Sequence, residues 1–176
     1  SRVGSCEDDC FELRLDSRKL QEFEEGVFAD LPNLRFLWLH ANRLSAIPHP
    51  TLVPLSASLV ELTLYENALT EIPQLSSFRS LQTLSLHTNR IREVPSDRLP
   101  ASLSELKLHN NELRWIAPDA LSLLEALETL TLHGNSRLRC VPTISLGLED
   151  ETMISVDKGV RPCSSGGENG APLTRK

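Results

Sequence analysis

Asn42, Asn67, Asn89, Asn111 and Asn135 fall 25, 22, 22 and 24 residues apart, each in the same local sequence. Aligned on them, the chain reads LRFLWLHANRLSAI from 34, LVELTLYENALTEI from 59, LQTLSLHTNRIREV from 81 and LSELKLHNNELRWI from 103. A fifth copy, LETLTLHGNSRLRCV from 127, carries one extra residue after its asparagine. A degenerate copy, CFELRLDSRKLQEF from 10, puts Arg18 where the asparagine belongs. A unit this short holds one strand and a return segment, and it cannot bury an apolar face alone. Neighbouring units must therefore stack.

Within each copy the L-x-L triplet has the period of a strand, so its two leucines point to one side and their neighbours to the other. Five apolar slots in each of six copies give 30 positions, all held by Leu, Ile, Val, Phe or Cys. The asparagines are read as structural: turned inward, each amide satisfies backbone groups where the chain bends after its strand.

The pattern L-x-x-L-x-L-x-x-N-x-L over residues 10–141 resembles the leucine-rich-repeat superfamily. That resemblance implies an α/β-type solenoid, a leucine-rich-repeat horseshoe. It would have a parallel concave β-sheet of about six strands and a mostly irregular or 3-10 convex side, capped at both ends. LQEFEEGVFADLPNL (20–34) is similar to the extracellular "typical" repeat class. LSASLVELTLYENAL (55–69) and LPASLSELKLHNNEL (99–113) are similar to the repeats of small leucine-rich proteoglycans. Proteins of these classes bind other proteins on the concave face, which implies the same here. The two cysteines at each end are fewer than such families usually place in a cap.

The expected division is an N-terminal cap with the degenerate first repeat (1–24), repeats (25–141), a C-terminal cap (142–163) and an extended tail (164–176). TMISVD within the second cap is a candidate extra strand. Six strands at ~4.8 Å separate the terminal cysteine pairs by roughly 20 Å, whereas a disulfide needs Cα atoms within about 7 Å. If the cysteines are oxidised, the pairs are Cys6–Cys10 and Cys140–Cys163; four buried thiols are the alternative. Disulfides would place the chain outside the cell or in another oxidising lumen, periplasmic or organellar. None of the eight asparagines lies in an Asn-x-Ser/Thr sequon, which keeps non-animal sources open.

Outward positions at equivalent places form columns across the sheet. One holds Glu12, Phe36, Glu61, Thr83, Glu105 and Thr129; the next holds Arg14, Trp38, Thr63, Ser85, Lys107 and Thr131. A third, past the last strand leucine, holds Asp16, His40, Tyr65, His87, His109 and His133. The favoured reading of this third column is a stack of planar polar side chains at strand spacing. A pH-responsive surface is a second reading, because imidazoles in a row disfavour simultaneous protonation. A metal site from His87, His109 and His133 lacks a fourth ligand, so no metal or other cofactor is expected. Phe36, Trp38 and Tyr65 are candidate anchors for a protein partner, unless the acidic N-terminal cap folds over them. Trp115 stands apart on a flank, under the C-terminal cap or on a second contact patch.

Other functions lack their parts. Residues 1–30 carry nine acids against four bases, a net of −5 within the total of −6. No basic stripe exists for phosphates, so no nucleic-acid partner is expected. No run approaches the roughly 18 apolar residues of a membrane span. The Ser85–x–His87 pair has neither an orienting acid nor an oxyanion hole, so the chain is not read as an enzyme. The function expected is capture of a protein partner on the concave face through Phe36, Trp38, His40, Tyr65, His87, His109 and His133. The alternative is an accessory subunit of a larger assembly, held by its caps, flanks and the linker-like tail SSGGENGAPLTRK.

Overall fold

A computed structural model describes residues 10–142 and 153–163. In chain order its elements begin with β1 (Glu12–Arg14), β2 (Phe36–Trp38), α1 (His49–Leu52) and a 3-10 turn at Val53–Leu55. Next come β3 (Glu61–Thr63), β4 (Thr83–Ser85), β5 (Glu93–Val94), β6 (Glu105–Lys107) and β7 (Trp115–Ile116). The series ends with β8 (Thr129–Thr131), β9 (Cys140–Val141), β10 (Met153–Ser155) and β11 (Arg161–Pro162).

The seven strands β1, β2, β3, β4, β6, β8 and β10 form one parallel sheet in that order. Each middle leucine faces its counterpart: Leu13, Leu37, Leu62, Leu84, Leu106 and Leu130, then Ile154. The seventh strand comes from the TMISVD segment. Register is kept beyond the strands, because Ala41, Glu66, Thr88 and Asn110 donate backbone bonds to the carbonyls of Tyr65, His87, His109 and His133. Those four donors, with Ser17, sit at φ between 54 and 57°, and Gly134 takes the same place at 72°. A left-handed residue there turns each chain sharply away from the sheet, which keeps the strands three residues long.

The inward slots make the core. All five slots of each full copy are buried, from Leu34, Leu37, Leu39, Leu44 and Ile47 through to Leu127, Leu130, Leu132, Leu138 and Val141. In the first copy only Leu13 is buried; Cys10, Leu15, Leu20 and Phe23 are partly covered. On the convex side Phe28 and Phe78 are fully buried among the turns. Each buried side chain of this size contributes roughly 1.5–3 kcal/mol, and stacking supplies the partner surface that one repeat lacks.

The asparagines stitch the repeats together. Asn89 Nδ2 donates to the Leu64 and Leu86 carbonyls at 2.9 and 3.0 Å, while its Oδ1 accepts the Leu69 N–H at 3.0 Å. Asn111 repeats the arrangement on Leu86, Leu108 and Ile91, and Asn135 on Leu108, Leu132 and Leu113. Asn67 joins Leu39 and Leu64 to Leu44, and Asn42 accepts from Arg18 and Leu20 while donating to Leu15 and Leu39. Each amide thus ties one bend to the preceding coil.

Two short pairings were not foreseen from the sequence. β5 pairs with β7 and β9 with β11, both parallel, on the return segments after the asparagines. Repeats of nearly equal length bring those segments into register as well. The last pairing is locked by the Cys140–Cys163 disulfide, with Cα atoms 5.0 Å apart. Cys10 is disulfide-bonded too, but the expected Cys6–Cys10 pairing lies outside the described residues through Cys6. The tail 164–176 and most of both caps' outer segments, 1–9 and 143–152, also lie outside them. Among the described residues no helix is long and apolar enough to cross a membrane.

Candidate protein-binding face

The concave sheet displays the three outward columns, and the third is a continuous stack of rings. His40 lies on Tyr65 with centroids 4.3 Å apart, Tyr65 on His87 at 4.5 Å, His87 on His109 at 4.3 Å and His109 on His133 at 4.6 Å. Interplanar angles of 10 to 14° make this a near-parallel ladder. Strand spacing alone sets the rise, so any planar side chain in this slot meets its neighbour face to face. Asp16 heads the ladder, its Oδ2 4.0 Å from His40 Nε2. Asp157 follows His133 in the column, but its carboxylate turns aside and accepts the Asn135 backbone N–H at 3.2 Å.

The middle column supports the ladder from the next strand along. His40 Nδ1 shares a hydrogen bond with Thr63 Oγ1 at 3.1 Å, His109 Nδ1 with Thr131 Oγ1 at 2.8 Å and His133 Nδ1 with Ser155 Oγ at 3.1 Å. For His87 the corresponding residue is Lys107, which has no hydroxyl. Among the described residues, His87 Nδ1 is buried without a hydrogen-bond partner. Thr63 and Thr131 stood in one column in the sequence and Ser155 joins it through β10, yet their role was not visible, because it depends on how each ring is rotated.

Electrostatics follow from the stack. Burial, then the Lys107 ammonium and His40, hold His87 below the ordinary histidine value. His109 is lowered to about 4, first by burial and then by His87, His133 and Lys107. Both rings are therefore neutral at neutral pH. Burial, with Glu66 and Asp16 behind it, raises the Tyr65 phenol. Parallel rings also aim their nitrogens side by side rather than at a common point. No group of three or more His, Cys, Asp or Glu side chains among the described residues is arranged to hold a metal ion.

The three aromatic anchor candidates divide into two groups. Phe36 and Trp38, both on β2, stack with centroids 6.1 Å apart and planes 12° from parallel. Tyr65 belongs to the ladder instead. Trp38 is held by its neighbours: Nε1 donates to Glu61 Oε1 at 3.2 Å, and the Arg14 guanidinium lies 4.5 Å from the ring. Arg35 approaches Phe36 at 5.9 Å. Phe36, Trp38, Tyr65 and the four ladder histidines all remain half-buried, so the described part of the N-terminal region does not cover them. Lys107 is tied to Glu105 at 2.9 Å on the same strand. Trp115, on β7, packs against the core from the flank, with Nε1 buried and unpaired among the described residues.

Comparison with known proteins agrees with this geometry. A leucine-rich-repeat family model matches residues 79–136. No curated protein matches the chain. Among solved structures, a chain of the TLR13–ssRNA13 complex superposes with a TM-score of 0.62 at 25% identity, covering 73% of this chain and 20% of that one. A chain from the octameric complex of Latrophilin 3, Unc5D and FLRT2, whose FLRT2 component is its leucine-rich-repeat part, gives 0.66 at 27% identity. It covers 71% of this chain and 39% of the other. The present chain thus spans well under half the length of either. Stacked parallel coils, buried leucine slots and inward asparagines, together with these matches, give the chain the leucine-rich-repeat solenoid fold.

Proposed function

We propose that this chain is a non-catalytic protein-recognition module that takes its partner on the concave face. The observation that carries this reading is the half-exposed aromatic surface on that sheet. The Phe36–Trp38 stack lies beside a five-ring ladder, all preset by stacking, with Trp38, His40, His109 and His133 also held by hydrogen bonds. Rigid aromatic groups supply large contact area with little rotamer entropy left to lose. FLRT2 stands in a multi-protein complex with Latrophilin 3 and Unc5D, which supports a protein partner by similarity.

TLR13 is seen with a single-stranded RNA, so the same architecture can hold nucleic acid. Here the outward columns carry Glu12, Asp16, Glu61 and Glu105 against Arg14 and Lys107. Arg14 is engaged on Trp38, and Lys107 is paired with Glu105. Such a face repels phosphates and favours a protein. The Cys140–Cys163 bridge supports an oxidising compartment as the place of work.

The test is capture from the native source with three baits: wild type, the double variant Trp38→Ala/Tyr65→Ala, and a chain ending at Cys163. The concave double variant is expected to lose partners that the shortened chain keeps. Loss by the shortened chain alone would overturn the reading in favour of an assembly subunit held by its tail.

A further inference from the structure

The middle column offers a hydroxyl to the ladder wherever it can: Thr63, Ser85, Thr131 and Ser155 stand beside His40, Tyr65, His109 and His133. The exception is Lys107, opposite Ser85 in the β4–β6 register and next to His87. Threonine or serine there would complete the pattern. Lysine instead leaves a buried ring nitrogen unsatisfied at the centre of the ladder, a cost that folding alone gives no reason to carry. It also sets a fixed positive charge against the two imidazoles that have a stacked ring on either side, His87 and His109.

We propose that Lys107 is a control residue that sets how acidic the surroundings must become before the concave face takes up protons and turns cationic. The charge acts on groups whose surroundings can be named from every side. Lys107, Glu105 and His109 come from β6 and its extension; Tyr65, Glu61 and Glu66 come from β3 and its extension. His40 and Asp16 lie beyond Tyr65, and His133 and Asp157 lie beyond His109. Two parallel imidazoles at 4.3 Å cannot both charge cheaply, and a nearby ammonium raises that cost further. Glu105 offsets part of the ammonium charge without removing it, since it lies on the same face at the end of β6 away from the ladder. Burial and the neighbouring positive charges act on His87 and His109 in the same direction.

The consequence is a ladder centre, His87 and His109, that stays neutral through mild acid and takes up protons only in stronger acid. Its use in releasing a partner rests on the concave-face reading above; the proton uptake itself does not. The two are therefore tested apart. Histidine ring titrations of the intact chain, followed by NMR, read the device with no partner present. In Lys107→Met both His87 and His109 are expected to titrate at higher pH, with His87 moving further, and Lys107→Arg is expected to keep the wild-type values. Lys107→Thr restores a hydroxyl beside His87 Nδ1 and is expected to raise the melting temperature as well. In the wild type, added salt screens the ammonium and is expected to move the same two titrations upward. Unmoved titrations in Lys107→Met, or in wild type between low and high salt, would overturn the proposal. Normal shifts with no partner captured would leave the device standing and refute the concave-face reading instead.

Discussion

The asparagine column and the histidine column are equally regular in sequence and two residues apart, yet they do opposite work. Asn89, Asn111 and Asn135 are almost entirely buried, and each joins three backbone groups across two coils. The rings two residues earlier in each bend, from His40 to His133, lie on the surface and touch mainly one another. An inward column repeats because every coil needs the same bond. An outward column repeats because like rings stack well at strand spacing, and nothing in the core collapses when one is changed. Departures from an outward pattern are thus more informative than the pattern itself, which is why Lys107, Phe36 and Trp38 are the residues proposed to bear on function.

That contrast can be broken or sharpened by substitution. The largest effect belongs to the inward column: Asn111→Ala strands two carbonyls and an N–H, and is expected to cost about 3 kcal/mol in equilibrium denaturation. A cost equal to that of an outward histidine would erase the distinction. Next is Gly134→Ala. Gly134 sits at φ +72°, and an added Cβ would collide with the Asn110 side chain. A loss of about 2 kcal/mol is expected, measured the same way. His109→Ala removes two stacking contacts and one hydrogen bond to Thr131, for a loss of about 1 kcal/mol. The smallest effect is a gain. Thr88 is β-branched at φ +56°, and Thr88→Gly is expected to stabilise by roughly half a kcal/mol once glycine's own entropy cost is offset.

Acid sharpens the comparison differently, because only the outward column titrates. His87 and His109 are lowered in the folded state, His109 to about 4, so the unfolded chain binds more protons below the ordinary histidine value of roughly 6.5. Their contribution is present above that value and is lost as pH falls from it toward about 4. Denaturation midpoints measured across this window should decline in wild type and decline less in His109→Gln.

How much of this was readable beforehand depended on which side of the chain a residue faces. Inward slots are read directly, since Leu84 or Leu106 has one place to go and burial dictates its type. The Cys140–Cys163 bridge was also readable, because strand spacing leaves few partners within reach. The ladder was foreseen as a column, but its wiring was not. Whether His87 Nδ1 meets a hydroxyl depends on the ring's rotation and on residue 107 of the next strand. The place of Tyr65 in the third column, apart from Phe36 and Trp38, was legible; the stacking of Phe36 on Trp38 was not, because it depends on side-chain rotation. All three face outward, but Tyr65 lies past the strand end, where the left-handed bend aligns it with His40 and His87. The flank pairings β5–β7 and β9–β11 depended on return segments whose sequences carry no strand period.

If inward columns build and outward ones recognise, capture and stability must separate in one experiment. Trp38→Ala/Tyr65→Ala and wild type would be compared for denaturation midpoint and for partner capture from the native source. The expected result is a midpoint lowered far less than in Asn111→Ala, together with loss of the captured partners. Partners retained in full by a folded double variant would contradict recognition through the concave face.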